Sequence, residues 1–462
     1  MGTIIVAFVT DQLLLLGLPA LLLVLFIGIV DFAKLYFLLY ASIPLSIALE
    51  LGGGFSTDIP SEPLMIGLSG ISTLYLLTNR SPGFSAFIRH PISILLFLHI
   101  GWTLIATINS SYPWISWKFF LAKMWYILPF YILTGILIRR NKDIYKIIEY
   151  VLVPLVILVG IILFRHAGEG FSFKSVNFVM GPWFINHVMY AAILVTLFPI
   201  VFACFRNQGL QLSQKDWPAL VRISILLLFL AGILHSYTRA AMVALAIAIV
   251  SYYIIRNRWI TQSIVFAIVA ILIGFNYLTN NNQYLQYAPE YTKAISHQKF
   301  DRLLEATTQG EDVSTMERAH RWIAGIRMAI DKPISGFGPG CFYSAYKPYT
   351  VRSFQTYVSN NPEKSGIHNY FLMVFVEQGI PGGIIFLIFS ITLLIYGQRI
   401  YHQSRNPQDR VIVMGLILSI ISIDALLLIN DLIETDKVGA FYFTFAAIMV
   451  IMDNRLRFQS SN

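Results

Sequence analysis

Apolar runs, each closed by charged or turn-forming residues, recur along almost the whole of this 462-residue chain. A helix of roughly 20 apolar residues is long enough to cross the hydrocarbon layer of a membrane, where every backbone polar group must be satisfied within the protein. The sequence therefore predicts an all-α, polytopic integral membrane protein with about 12 or 13 transmembrane helices. The predicted spans cover residues 12–30, 33–51, 63–79, 91–108, 118–138, 146–164, 184–204, 220–235, 240–255, 259–278, 379–397, 411–429 and 438–452.

The composition excludes a soluble globular protein, because 56% of the residues are hydrophobic and only 12% are charged. Soluble domains carry about 25% charged residues. The net charge of +9 does not indicate a nucleic-acid partner, since the basic residues lie mostly in short loops between apolar runs. Two distant cysteines, Cys204 and Cys341, have neither a disulfide framework nor metal-type spacing and carry no prediction.

The basic residues fall on alternate loops, including those that hold Arg139 and Arg140 and those that hold Arg405 and Arg410. Basic loops mark the cytoplasmic side, so the opposite loops are expected to face outward. The chain is then divided into three parts. They are residues 1–278 with the N-terminal transmembrane helices, residues 279–367 as one long, partly helical outward loop, and residues 368–462 with three C-terminal transmembrane helices and a short cytoplasmic tail.

Within the long loop, Ser314 and Glu317 have the spacing of a capping box, which predicts an amphipathic helix as far as Ile330. Arg318 and Arg321 share one face of that helix. The glycine-rich stretch 336–340 follows and cannot remain helical. Arginines and aromatic residues alternate between Arg318 and Arg352, a pattern that suits carbohydrate and phosphate, although a solvated charged face is the default interpretation of such a helix.

Four further polar residues lie within or at the ends of apolar runs, where a polar side chain needs a partner or a function. Arg239 lies between two apolar runs, where it either pairs with an anionic group in an outward cavity or extends to the lipid headgroups. His368 opens the apolar stretch after the long loop and could act there as a general base or as a hydrogen-bonded structural residue. Glu377, among apolar neighbours, needs a partner or a proton, and His187 at another outward boundary has a packing role as its simplest explanation.

No outward loop holds a closely spaced pair of acidic residues that would bind a divalent ion between a sugar and a pyrophosphate. Asp58 and Glu62 are separated, and Glu311 and Asp312 lie in a stretch expected to be mobile. The chain also has no P-loop. We therefore expect no metal and no cofactor.

Together these elements resemble the O-antigen ligase family, which includes O-antigen polymerases and protein O-oligosaccharyltransferases among its relatives. The resemblance covers about residues 230–385 and is strongest to ligases of the lipid A core. The motifs that carry it are Tyr237-Thr238-Arg239-Ala240-Ala241, Arg321-Trp322, Asp331 to Gly340, His368-Asn369-Tyr370-Phe371-Leu372, Glu377-Gln378-Gly379 and Gly382.

This resemblance implies a GT-C-like, inverting and metal-independent glycosyltransferase in a bacterial inner membrane, with its active site facing the periplasm. The donor would be a glycan on undecaprenyl pyrophosphate, and the acceptor a hydroxyl of the lipid A core oligosaccharide. The family's histidine falls on His368 as the catalytic base. Its arginines fall on Arg239 and on Arg321 or Arg318, which would bind the pyrophosphate, with Tyr237, Asn369, Glu377 and His187 as neighbours of the site.

Three alternatives stay open at this point. A polymerase would join repeat units on the same lipid carrier, and a protein O-oligosaccharyltransferase would use a Ser or Thr side chain as the acceptor. A lipid-linked oligosaccharide transporter would show internal repeats and polar residues near the middle of the membrane. The polar residues of interest are instead concentrated at one face, which favours an enzyme over a transporter.

Overall fold

The computed structural model describes residues 18–52, 55–78, 82–207, 211–212, 215–279, 313–350 and 366–460. Almost all of these residues are helical, apart from the two-stranded hairpin of β1 (Ile47–Gly52) with β2 (Phe55–Ile59) and a second, very short one of β3 (Gln211–Leu212) with β4 (Lys215–Asp216). In chain order the helices are α1 (Leu18–Leu45), α2 (Ser61–Thr78), α3 (Pro82–Ile88), α4 (Pro91–Ile108), α5 (Pro113–Leu137, with a π-helical turn at Leu128–Leu133), α6 (Asn141–Gly168), α7 (Val176–Met180), α8 (His187–Arg206), α9 (Ala219–His235), α10 (Arg239–Arg256), α11 (Ile260–Thr279), α12 (Val313–Asp331), α13 (Phe342–Ala345), α14 (Tyr370–Gln403), α15 (Pro407–Leu427) and α16 (Asp436–Ser460).

The predicted fold class, an all-α polytopic membrane protein, is confirmed. Seven of the helices in the described ranges are long and apolar enough to cross a membrane: α4, α5, α6, α8, α10, α14 and α15. The total of 12 or 13 spans stays a prediction, because residues 1–17 lie outside the described residues and several other helices are shorter or less apolar.

Three predicted spans have different bounds from the observed helices. The runs 12–30 and 33–51 merge into α1, which passes through a break at Asp31, and the end of the second run pairs as strand β1 instead. The run 379–397 is part of a longer helix, since α14 begins at Tyr370 and continues through a break at Gly379. Hydropathy alone does not report backbone breaks, so it misplaced the boundaries of these three spans.

Helices α8 and α15 pack against each other, and both are largely buried. A glycine at the contact makes this possible, because a Cβ on Gly415 would lie only 2.6 Å from the Cβ of Ala203. They run in opposite directions: at one end, the Asn207 amide just after α8 donates to the carbonyl oxygen of Gln408 at 2.8 Å.

Helices α10 and α14 run in the same direction, because the ring of His402 contacts the carbonyl oxygen of Ile255 at 2.9 Å near both C-termini. The starts of α8, α10 and α14 and the end of α15 therefore lie at one end of the helix bundle. We call this the site end, because the residues singled out in the sequence collect there.

Candidate active site

The centre of the site end is the contact between α12 and the residues that precede α14. A Cβ on Gly325 would lie 2.3 Å from Cδ1 of Ile367, so only glycine lets α12 approach this closely. The approach buries Arg321 almost completely, at 2% exposure, and its Nη1 donates to the carbonyl oxygen of Gly366 at 3.1 Å. Helix α12 begins at Val313, one residue before the predicted N-cap at Ser314.

His368 directly follows Ile367 and adopts a left-handed backbone conformation, with φ of 55°. Its Nδ1 is buried and has no hydrogen-bond partner among the described residues. Burial, followed by the positive charges of Arg318 and Arg321, lowers the pKa of the His368 imidazole to about 4. The ring is therefore neutral near neutral pH, which is the state that can accept a proton.

Asp431 joins this group from the loop between α15 and α16. A Cβ on Gly366 would lie 2.2 Å from Oδ2 of Asp431, so the carboxylate sits directly on the glycine whose carbonyl binds Arg321. Burial raises the pKa of Asp431, and the charge of Arg321 acts against that rise. Sequence reasoning missed Asp431; the available signal was a carboxylate in a short loop that was predicted to face outward.

Glu377 holds the glycine-rich loop 336–340 against α14. One carboxylate oxygen accepts from the Gly340 amide at 2.8 Å and the other from the Phe342 amide at 3.1 Å. The Glu377 carbonyl also accepts from the Gly338 amide at 2.9 Å. Both side-chain oxygens are thus engaged with backbone amides, which accounts for a carboxylate among apolar neighbours.

The same loop is anchored from its other side by the turn between α4 and α5. The Ser111 amide donates to the Phe337 carbonyl at 3.0 Å, and the Ser116 hydroxyl donates to the Pro339 carbonyl at 2.9 Å. A Cβ on Gly338, where φ is 104°, would lie 2.0 Å from the Ser110 hydroxyl. The glycines of the motif therefore permit close packing of residues 336–340 against α14 and the region that joins α4 to α5.

A second group of residues lies at the starts of α8 and α10. Arg239 is the first residue of α10, and the preceding Thr238 hydroxyl donates to the carbonyl oxygen of His187 at 3.2 Å. The His187 ring contacts the side-chain oxygen of Asn177 at 2.8 Å. The Tyr237 hydroxyl donates to the carbonyl oxygen of Phe171 at 2.5 Å. Arg239, at the start of α10, and His368, just before α14, are thus at the same end of the bundle.

Left-handed backbone conformations concentrate in these two groups. Of the four non-glycine residues with positive φ in the described part of the chain, Phe171, Tyr237 and His368 lie at the site end. Such conformations cost free energy and persist only where the surroundings enforce them, and they cluster at functional sites.

Two residues next to His368 have structural partners. The Asn369 side chain caps α14 by accepting from the Leu372 amide at 2.9 Å. The Tyr370 hydroxyl accepts from Nζ of the buried Lys123 at 2.6 Å, and Lys123 also pairs with Glu434 at 2.9 Å. These contacts fix the start of α14, and with it the position of His368.

Some of the aromatic residues between Arg318 and Arg352 pack inside the protein. Phe342 and Tyr346 are buried and stack on each other, so their faces are not available to a sugar. Phe337 is buried as well. Within the described ranges, no three side chains of the metal-ligating types His, Cys, Asp and Glu form a cluster. Glu311 and Arg352 lie outside the described residues.

The comparison with known families covers the same region. Residues 224–387 match the family model described as O-antigen ligase, from within α9 to within α14. The matched segment contains Arg239, Arg318, Arg321, His368 and Glu377, whereas His187 and Asp431 lie outside it. No curated protein matches the chain in a sequence search. The match shows that residues 224–387 are similar to the O-antigen ligase family.

Proposed function

We propose that this multi-pass membrane protein is an O-antigen ligase at the periplasmic face of a bacterial inner membrane. It moves a glycan from undecaprenyl pyrophosphate to a hydroxyl of the lipid A core oligosaccharide. The observation that carries the proposal is the placement of a neutral histidine, His368, beside Arg318 and Arg321 inside the family-matched segment.

In the proposed reaction His368 accepts the proton of the acceptor hydroxyl while the oxygen attacks the anomeric carbon. The bond from that carbon to the pyrophosphate breaks, and the pyrophosphate leaves with the electron pair. Attack opposite the leaving group inverts the configuration. Arg321, Arg318 and Arg239 stabilise the negative charge on the leaving group, since guanidinium groups match phosphate oxygens in a bidentate manner.

Metal independence is part of the proposal. A pyrophosphate is a good leaving group, and a cluster of arginines supplies the charge stabilisation for which other enzymes use a cation. Asp431 also belongs to the proposed site, because it contacts Gly366, whose carbonyl oxygen accepts a hydrogen bond from Arg321. We assign Asp431 the role of positioning Arg321 and the chain that leads to His368.

A transfer assay with the purified protein, a lipid-linked donor and lipid A core tests the catalytic role. We expect His368→Ala to transfer glycan about 10² to 10⁴ times more slowly than the wild type, with donor binding retained. His402→Ala is the matched control, because His402 contacts a backbone carbonyl at the opposite end of α14. Transfer by His368→Ala near the wild-type rate per folded molecule would show that His368 is not the base.

The acceptor distinguishes the proposed ligase from its two enzyme alternatives. Deletion of the gene should abolish capping of lipid A core while long lipid-linked chains accumulate. Chains of a single repeat unit would indicate a polymerase instead. Transfer to a Ser- or Thr-containing peptide, with none to lipid A core, would indicate a protein O-oligosaccharyltransferase.

A further inference from the structure

A groove of about 560 Å³ opens between α8, α10 and α15 at the end of the bundle opposite the site end. Its wall is almost entirely apolar, and several of its side chains point outward: Phe202, Ile249 and Tyr253 are 49%, 59% and 59% exposed. The three helices are long and apolar enough to span a membrane, so this exposed surface faces lipid rather than water.

The mouth of the groove is basic. Arg206, the last residue of α8, and Arg410, in the first turns of α15, both line it with exposed side chains. The Arg410 guanidinium also lies 5.1 Å from the ring centroid of Tyr401, another lining residue. The neighbouring carboxylate of Asp409 is directed elsewhere, since it accepts from the Asn141 amide of α6 at 2.5 Å.

An apolar groove below two guanidinium groups complements a lipid with an acyl chain and an anionic phosphate headgroup. Arginines commonly extend from helix ends towards lipid headgroups, but here two of them line a single cavity. The volume lies within the roughly 300–1,000 Å³ of ordinary ligand sites.

We propose that the groove binds one anionic phospholipid of the bilayer, with its phosphate between Arg206 and Arg410 and an acyl chain along α8, α10 and α15. The site is separate from the proposed glycan transfer and uses none of its residues. It lies where α15, which packs against α8 through Gly415, meets the membrane surface.

Native mass spectrometry of the purified protein, titrated with phosphatidylglycerol or phosphatidylcholine, tests the proposal. We expect one phosphatidylglycerol to bind tightly, and phosphatidylcholine to bind much more weakly. Neutralising each arginine should weaken phosphatidylglycerol binding about fivefold, so that Arg206→Gln with Arg410→Gln weakens it roughly 25-fold. The matched control is Arg256→Gln with Arg405→Gln, which removes two exposed charges at the same end of the bundle but outside the groove.

Equal loss in the control pair would overturn the proposal, because it would show a general surface-charge effect. Unchanged binding in the groove pair, or equal binding of phosphatidylcholine, would do the same. Displacement of the lipid by inorganic phosphate alone would identify a free-anion site. If the double variant does not elute as a folded species, the two single variants carry the test, each with the expected fivefold loss.

Discussion

His368 combines a left-handed backbone with a ring nitrogen that is buried beside two arginines. Its pKa of about 4 describes the site without substrate. A bound pyrophosphate would offset the charges of Arg318 and Arg321, and would therefore raise the pKa of His368 towards its ordinary value.

We accordingly predict different acid limbs in the two kinetic parameters. The acid limb of kcat/KM, which reports the free enzyme, should lie near pH 4, because protonated His368 cannot accept the hydroxyl proton. The limb of kcat, which reports the donor complex, should lie at higher pH. Initial transfer rates at limiting and saturating donor between pH 3.5 and 8 measure both limbs. Arg318→Gln should shift the kcat/KM limb upward, and a wild-type limb near the ordinary histidine pKa would contradict the assignment.

Arg239 offers a second test at the scale of a single residue. Arg239→Lys keeps the charge at the start of α10 but loses the two-pronged geometry that fits a pyrophosphate. We expect transfer to slow by about 10-fold to 10³-fold, with the protein still folded. Arg405→Lys, at the opposite end, is the control and should transfer at the wild-type rate. If Arg239→Lys also does so, Arg239 serves only as an interfacial residue.

At the scale of the element, α14 is broken where Pro333 and Ile334, just after α12, pack against it. Gly379 has φ of 71°, and a Cβ there would lie 2.1 Å from the carbonyl oxygen of Ile334. The break also frees the Ile380 amide from the hydrogen-bond pattern of the helix, and this amide donates to the Pro333 carbonyl at 2.7 Å. The sequence predicts a turn at the glycine-rich stretch 336–340. It does not predict the contact between Gly379 and Ile334, because that contact forms between two separate elements.

Gly379→Ala should therefore destabilise the protein by roughly 1–3 kcal/mol or more, because a side chain is both strained at this φ and in collision with backbone. The apparent Tm of the solubilised protein should fall by several degrees. Gly101→Ala in α4 is the matched control, because a Cβ there meets nothing within 4 Å. That control should keep or slightly raise the Tm. A Gly379→Ala protein as stable as the control would mean that the break in α14 is not required.

The proposed orientation of these elements is tested with single cysteines. Cys204 and Cys341 are both buried and are replaced first. A cysteine at Gln309 should then react with an impermeant reagent added outside the inner membrane, whereas one at Gln403, at the exposed end of α14, should react only after permeabilisation. The reverse pattern would place residues 279–367 in the cytoplasm and remove the proposed periplasmic site.

At the scale of the whole molecule, the helix bundle brings the matched segment together with parts of the chain outside it. Lys123 precedes the matched segment and Asp431 follows it, yet both contact residues next to His368. The opposite end of the same bundle carries the apolar groove with Arg206 and Arg410 at its mouth. The two ends thus present different chemistry to the two membrane surfaces.

Because Arg318 and Arg321 adjoin His368 and can supply the charge stabilisation, we predict that transfer does not depend on a divalent cation. Purified protein in excess chelator should transfer glycan at the same rate as protein supplied with magnesium. Activity that is lost with chelator and restored by magnesium or manganese would contradict this prediction. Asp58 and Glu62 would then be tested as ligands, although Glu62 accepts from the Thr57 hydroxyl at 2.7 Å.

The sequence alone predicted the helices and most of the candidate residues, since hydropathy and short motifs are local properties of the chain. It placed α4 and α9 almost to the residue. It also predicted a helix with Arg318 and Arg321 on one face before the glycine-rich turn. It could not show that strand β1 follows α1, because a short apolar run is compatible with either a helix or a strand.

Only the tertiary structure decided which polar residues meet. Glu377 looked available to chemistry until two distant backbone amides were found on its carboxylate, and Phe342 and Tyr346 looked like a sugar platform until they were found buried. Asp431 reaches Gly366 only because α14 and α15 run antiparallel and return the chain to the site end. Burial and long-range contact depend on how the helices pack, and the order of residues along one helix does not contain that information.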